Sequence, residues 1–155
     1  MVLNSICVTA PASAPTNDNC TGAIPLTINS TCTYSNFSNV GATTSTTPST
    51  PPAPGCANYS GGDVWFSFTV PANGTVTVDS QAGTLTDSGM AWYTGTCGSL
   101  NLLECDDDDS SNGYMSSITR TGLTPGATIY VRFWEYGNDN QGTFGSCASS
   151  PLHCS

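Results

Sequence analysis

Cationic side chains are almost absent from this sequence. It has no lysine, and its two arginines are Arg120 and Arg132. Because it also has 11 acidic residues, its formal net charge is −9 at pH 7. An acidic chain repels the phosphates of nucleic acids and anionic membrane surfaces. No apolar run approaches the roughly 20 residues that span a bilayer. We therefore expect neither a nucleic-acid partner nor insertion into a membrane.

Histidine is nearly absent too, which limits the catalytic chemistry. The single histidine, His153, lies beside Cys154 at the end of the sequence. A catalytic triad or a metalloprotease site is hard to assemble in a chain terminus. Glu104 and Glu135 offer the two carboxylates of a glycosidase, but nothing in the sequence places them across a cleft. We therefore expect no enzyme.

The residues that are abundant favour β-structure. Apolar side chains come in short alternating bursts separated by Gly, Pro, Asn and Ser, and no stretch keeps a helical period. The pattern predicts seven strands at residues 63–70, 75–80, 89–94, 100–105, 115–120, 128–136 and 142–147. One or two more are expected between residues 24 and 40, and residues 41–55, rich in Pro and Thr, form a long loop. The predicted fold is an all-β, antiparallel, jelly-roll-like sandwich.

The two ends of the sequence resemble each other. SICVTAP at residues 5–11 is similar to GSCASSP at residues 145–151. This similarity predicts that residues 1–16 are a linker with the remnant strand of a preceding repeat, residues 17–150 the β-sandwich module, and residues 151–155 a tail. Chance similarity between short strings rich in Cys, Ser and Pro is the alternative.

The eight cysteines lack the paired spacing of a zinc site, so we interpret them as disulfides. Disulfides place the protein in an oxidising compartment, either secreted or at the cell surface. Cys97 and Cys105 flank a predicted hairpin and are the favoured pair. Cys20 and Cys32 could close the first hairpin, although the sequence cannot choose among the possible pairings.

An acidic run marks a candidate metal site. Asp106, Asp107, Asp108 and Asp109 are consecutive where a strand enters a turn, and adjacent carboxylates repel one another unless a cation offsets their charge. Calcium suits such a loop because it accepts six to eight oxygen ligands in irregular geometry. Asp139, in a second oxygen-rich loop, could complete the site. A solvated acidic turn is the alternative.

Aromatic residues mark a candidate sugar platform. In the strand at residues 128–136, side chains alternate between an apolar face and a face that carries aromatic rings and an arginine. The candidate ligand-binding residues are Tyr130, Arg132, Trp134, Tyr136, Trp65 and Trp92. Sugar rings stack on aromatic faces while their hydroxyls take hydrogen bonds. The alternative is that these aromatics pack beneath long loops.

Three strings together carry a family resemblance: GGDVWFSFTVPANGTVTVDSQ, AWYTGTCGSLNLLECDDDDS and SSITRTGLTPGATIYVRFWEYGNDNQGTFGSC. They resemble the Cys-rich β-sandwich repeats of secreted proteins from Bacteroidetes-type bacteria. More loosely, they are similar to bacterial pre-peptidase C-terminal domains. The resemblance implies an accessory module of an exported enzyme or adhesin, often repeated and sometimes carbohydrate-binding.

The sequence therefore predicts a non-catalytic, calcium-stabilised module that binds polysaccharide outside the cell. The alternative is a structural or adhesive tandem repeat whose partners are neighbouring copies of the same module. A solvent-facing aromatic patch would favour sugar binding. Buried aromatics with a free strand edge would favour assembly.

Overall fold

The computed structural model describes residues 13–151, and these form ten β-strands. The strands are β1 (Ile24–Pro25), β2 (Ile28–Asn29), β3 (Ser35–Ser38), β4 (Val64–Thr69), β5 (Val76–Ala82), β6 (Ser88–Thr96), β7 (Ser99–Asp106), β8 (Ser117–Arg120), β9 (Thr128–Glu135) and β10 (Thr143–Ser149). Two short 3₁₀ helices, Cys20–Gly22 and Tyr136–Asn138, are the only helical turns among the described residues.

The strands form two sheets that pack as a sandwich. Sheet one has the order β1-β4-β9-β6-β7, and sheet two has the order β2-β10-β5-β8, with β3 also paired to β10. All pairings are antiparallel except those of the two-residue strands β1 and β2, which run parallel to β4 and β10. The predicted all-β sandwich and its seven later strands are confirmed, and three short strands occupy the region where one or two were expected.

Alternation along the strands builds the main core. Phe66 on β4 and Phe133 on β9 face inward from sheet one, and Phe144 faces inward from β10 in sheet two. The rings of Phe133 and Phe144 stack with their centroids 4.0 Å apart, which joins the two sheets. Each such ring contributes one of the largest apolar areas available to a small core.

The outer face of sheet one is covered by the chain itself. Residues 39–63, which connect β3 to β4 and are called the covering segment below, contain no strand, as predicted for residues 41–55. A second apolar cluster lies between this segment and the sheet, and it includes Ala57, Trp65, Tyr93 and Trp134. Sheet one is therefore buried on both faces in this region, which explains its aromatic-rich outer positions.

Within residues 13–151, three disulfides join residues that are distant in sequence: Cys20–Cys97, Cys32–Cys147 and Cys56–Cys105. The four cysteines predicted to be bridged are bridged, but both predicted pairings, Cys97–Cys105 and Cys20–Cys32, are wrong.

Strand geometry explains why these pairings fail. Cys97 lies in the turn between β6 and β7, whereas Cys105 lies near the far end of β7, six residues and roughly 20 Å beyond Ser99 at about 3.4 Å per residue. A disulfide needs a Cα separation near 5.5 Å. Cys20 precedes β1 of sheet one, whereas Cys32 follows β2 of sheet two. The first two strands belong to different sheets, so no hairpin exists for these cysteines to close.

The predicted domain limits stay a prediction. The proposed remnant strand around residue 6, together with Cys7 and Cys154, lies outside the described residues.

Candidate binding site

The predicted aromatic platform is not a surface. Trp65, Trp92 and Trp134 are fully buried, and Arg132 is 2% exposed. Trp92 faces the core between the sheets, and the other three lie beneath the covering segment. Tyr130 is partly exposed, and only Tyr136, at 41% exposure, faces solvent freely. The structure therefore corrects this prediction: the alternating pattern on β9 separates two cores rather than a core and a binding face.

Arg132 holds the covering segment through a buried polar network. Its Nε donates to Asp63 Oδ2 at 2.9 Å, and its terminal nitrogens donate to the hydroxyls of Tyr59 at 2.7 Å and Tyr93 at 3.1 Å. The guanidinium also stacks on Tyr59, 4.2 Å from the ring centroid. Asp63 in turn accepts hydrogen bonds from Ser45 and Tyr59. All of these partners are intramolecular, so Arg132 has a structural role.

Three carboxylates converge at one end of the sandwich. Ligand oxygens of Asp87, Asp107 and Asp108 all lie within 4.8 Å of one another. This group, called the aspartate trio below, joins the residue just before β6 to the loop after β7. Oδ1 of Asp87 and Oδ1 of Asp107 are shielded from solvent and have no hydrogen-bond partner among the described residues. Oxygen atoms around one calcium ion, each about 2.4 Å from it, have similar mutual separations.

The trio shares only two residues with the predicted metal ligands. Asp107 and Asp108 were predicted, whereas Asp106 turns inward, where Oδ2 accepts the backbone N–H groups of Asp109 and Ser117. Asp109 lies outside the trio, and Asp139 is close enough for its charge to raise the pKa of Asp87. Asp87 was missed because it stands alone in the sequence. Its position directly before a strand, at the sheet end that carries the acidic loop, was the available signal.

Burial and mutual repulsion shape the protonation of the trio. Burial, followed by the hydrogen bond and charge of Asp108, raises the pKa of Asp107 to about 6 from its ordinary 3.8. Burial also raises the pKa of Asp87, with further contributions from the charges of Asp108 and Asp139. Carboxylates that resist ionisation in the absence of a cation gain the most when a cation binds.

Glu135 orders the neighbouring loop rather than joining the trio. Its Oε1 accepts the backbone N–H groups of Asp139 at 2.7 Å and Asn140 at 3.0 Å. The loop after β9 is thereby held at the same end of the sandwich as the trio.

Two exposed tyrosines flank Asp87. The backbone N–H of Tyr136 donates to the Asp87 carbonyl at 3.0 Å, and the carbonyl of Tyr114 accepts the N–H of Ser88 at 3.1 Å. Tyr114 is 67% exposed, and with Tyr136 it makes up the large exposed aromatics of the described chain. Exposed rings therefore occur beside the trio, and this end is the candidate binding site. Tyr114 was missed because no strand pattern marks it.

The chain matches a known protein family over most of its length. A family described as galactose-binding domain-like, and designated T9SS-associated, matches residues 16–142, so the chain belongs to that family. Galactose-binding-like domains are non-catalytic modules. The secretion-associated family and the three disulfides indicate a secreted or extracellular protein.

Among solved structures, the chain is similar to the pre-peptidase C-terminal domain of a collagenase from Bacillus anthracis. The identity is 15%, the TM-score is 0.48, and the alignment covers 81% of this chain and 93% of that one. No protein with a curated description matches the sequence significantly. No helix in residues 13–151 is long and apolar enough to cross a membrane.

Proposed function

We propose that this chain is a non-catalytic, extracellular carbohydrate-binding module that uses calcium at the aspartate trio. The observation that carries the proposal is the coincidence of exposed aromatics and clustered carboxylates at one end of the sandwich. Backbone hydrogen bonds join Tyr136 to Asp87 and Tyr114 to the next residue, Ser88, and these two tyrosines are the large aromatics left exposed in residues 13–151. The galactose-binding-like family supports a carbohydrate as ligand.

Calcium would supply positive charge at the end of the sandwich where the three aspartates cluster. Asp87, Asp107 and Asp108 offer carboxylate oxygens at suitable separations, and Oδ1 of Asp87 and Oδ1 of Asp107 have no hydrogen-bond partner within residues 13–151. Water or sugar hydroxyls would provide the remaining oxygens of a coordination shell of six to eight. The tyrosine rings would stack on the apolar faces of sugar rings.

Isothermal titration of calcium into the chelator-treated protein tests the metal half of the proposal. We expect saturable binding that Asp107→Asn weakens at least tenfold. Asp109→Asn is the matched control, since it removes the same charge from an exposed position outside the trio, and it should change affinity less than threefold. Equal losses in both variants would mean that general charge attraction, and not a defined site, holds the cation.

Affinity electrophoresis against neutral and sulfated plant and algal polysaccharides tests the sugar half. We expect one glycan class to retard the protein in calcium, with the retardation lost in Tyr136→Ala and Tyr114→Ala. Leu102→Ala removes a comparably exposed apolar side chain from β7 and should bind as the wild type does. Migration that no polysaccharide affects would contradict the proposal.

A second candidate is a structural or adhesive repeat that associates with copies of itself. Burial of Trp65, Trp92 and Trp134 favours it, as does β7, which lies at the end of the sheet-one strand order and carries the exposed Leu102. Sedimentation at increasing concentration distinguishes the two. Ordered multimers that dissociate in Leu102→Lys would support this candidate, and a monomer at all concentrations would exclude it.

A further inference from the structure

The Cys32–Cys147 disulfide creates a short covalent route between the two ends of the chain. The two cysteines are separated by 115 positions in sequence, yet their Cα atoms are 5.4 Å apart. Cys32 follows β2, and Cys147 lies in β10, the last strand. A force that pulls the two ends apart is therefore transmitted through the first 32 residues, the bridge and the residues from 147 onward. Residues 33–146 lie outside this route.

We infer that the Cys32–Cys147 bridge makes the module a force-resistant link, which keeps its interior folded when the chain is under tension. Backbone hydrogen bonds break under sustained load, whereas a disulfide is covalent. The other two bridges, Cys20–Cys97 and Cys56–Cys105, do not shorten this route. In the oxidised chain the length of the route is thus set by Cys32–Cys147, and Cys20–Cys97 would set a longer route in its absence.

In residues 13–151 the strands on the route are short pieces, namely β1, β2 and the last three residues of β10. β1 and β2 each contain two residues and form the sheet edges opposite β7 and β8. β3 to β9 and most of the core lie outside the route. Detachment of β1 and β2 from their sheets therefore does not place β3 to β9 under load. Asp87, Asp107, Tyr114 and Tyr136 all belong to the protected part. A ligand held at that end would therefore stay bound to a folded site while the chain carries tension.

Single-molecule force spectroscopy of the full chain, fused at both ends to marker domains, tests the inference without any ligand. At about 3.5 Å per residue, the oxidised chain can extend by at most about 150 Å, since only residues 1–32 and 147–155 are free to straighten. After reduction, the same protein should extend by roughly 500 Å. We thus expect at least a threefold difference between the two states.

Two double variants identify the bridge responsible. Cys32→Ser with Cys147→Ser should extend by up to about 280 Å at about 3.5 Å per residue, because Cys20–Cys97 then still keeps residues 21–96 out of the route. Cys56→Ser with Cys105→Ser should keep the short extension of the oxidised wild type. If the Cys32→Ser, Cys147→Ser variant does not fold, the extensions of the oxidised and reduced wild type still test the inference. An extension beyond about 200 Å in the oxidised wild type, at about 3.5 Å per residue, would overturn the inference. The result is independent of calcium and sugar binding, so it fails or succeeds separately from the proposed function.

Discussion

At the scale of single residues, the buried ion pair of Arg132 and Asp63 shows how strongly one side chain can depend on another. Their side chains are 2% and 0% exposed, and each has hydrogen-bond partners besides the other. Removing one partner leaves an uncompensated charge in a low-dielectric environment, which costs about 3–5 kcal/mol. The second ion pair, Arg120 with Glu104, is about one-third exposed and links β8 to β7.

Arg132→Met should therefore lower the free energy of unfolding by about 3–5 kcal/mol, because Asp63 keeps its charge without a partner. Arg120→Met is the matched control and should cost at most about 1 kcal/mol, because solvent screens that pair. Urea denaturation followed by tryptophan fluorescence measures both. Similar losses in the two variants would show that the buried network does not hold the covering segment.

The raised pKa of Asp107, at about 6, predicts a pH dependence of the metal-free protein. The unfolded carboxyl loses its proton near pH 4, whereas the folded one keeps it until about pH 6. Between these values the folded state binds more protons, so stability should fall as the pH rises. Thermal unfolding in chelator from pH 4 to pH 7 checks this.

Asp107→Asn serves as the test variant, because it cannot titrate and should flatten the decline. Added calcium should flatten the decline as well, since the cation stabilises the charged form. A slope that persists unchanged in Asp107→Asn would assign the effect to other groups.

At the scale of elements, β6, β9 and the covering segment pack so closely that there is no room for a side chain at Gly89. A Cβ built there would lie 2.5 Å from Cβ of Ala57 and would also overlap the indole of Trp134. The glycine thus allows the covering segment to approach the sheet, and the segment is what converts an aromatic sheet face into a second core.

Gly89→Ala should destabilise the protein by about 1–3 kcal/mol through overpacking. Gly98→Ala, in the turn between β6 and β7, is the control, because the nearest atom, on Pro48, lies 3.9 Å from the added carbon. Its effect should be neutral or slightly stabilising. Differential scanning calorimetry of both variants measures the contrast, and a neutral Gly89→Ala would mean that the covering segment packs more loosely than the structure indicates.

At the scale of the whole molecule, the net charge of −9 opposes compaction. Arg132 forms an ion pair with Asp63, and Arg120 forms one with Glu104. The acidic residues of the trio therefore have no cationic side chain opposite them in residues 13–151. Salt screens such repulsion within a Debye length of about 10 Å at 0.1 M.

Raising sodium chloride from 10 mM to 500 mM should therefore increase the melting temperature of the chelated protein. In saturating calcium the same change in salt should have a smaller effect, because the cation has already neutralised the most crowded carboxylates. Thermal unfolding in the four conditions checks this. A larger salt response with calcium than without it would contradict a metal site at the trio.

The sequence by itself determined the all-β class, the seven later strands, the long loop before β4 and the disulfide-bonded character of the chain. These follow from local periodicity and composition, which any segment expresses independently of its neighbours in space. Two of the three aspartates of the trio were also visible, because Asp107 and Asp108 belong to one acidic run.

Only the tertiary structure decided which cysteines pair, that the aromatic face of β9 is buried, and that Asp87 joins Asp107 and Asp108. Each of these depends on contacts between segments far apart in sequence, such as Cys32 with Cys147 or Arg132 with Asp63. Alternation along a strand separates its two faces but does not reveal what covers each of them. The covering segment has no periodic pattern of its own, so its place against sheet one is set by packing, hydrogen bonds and disulfides that only the folded chain brings together.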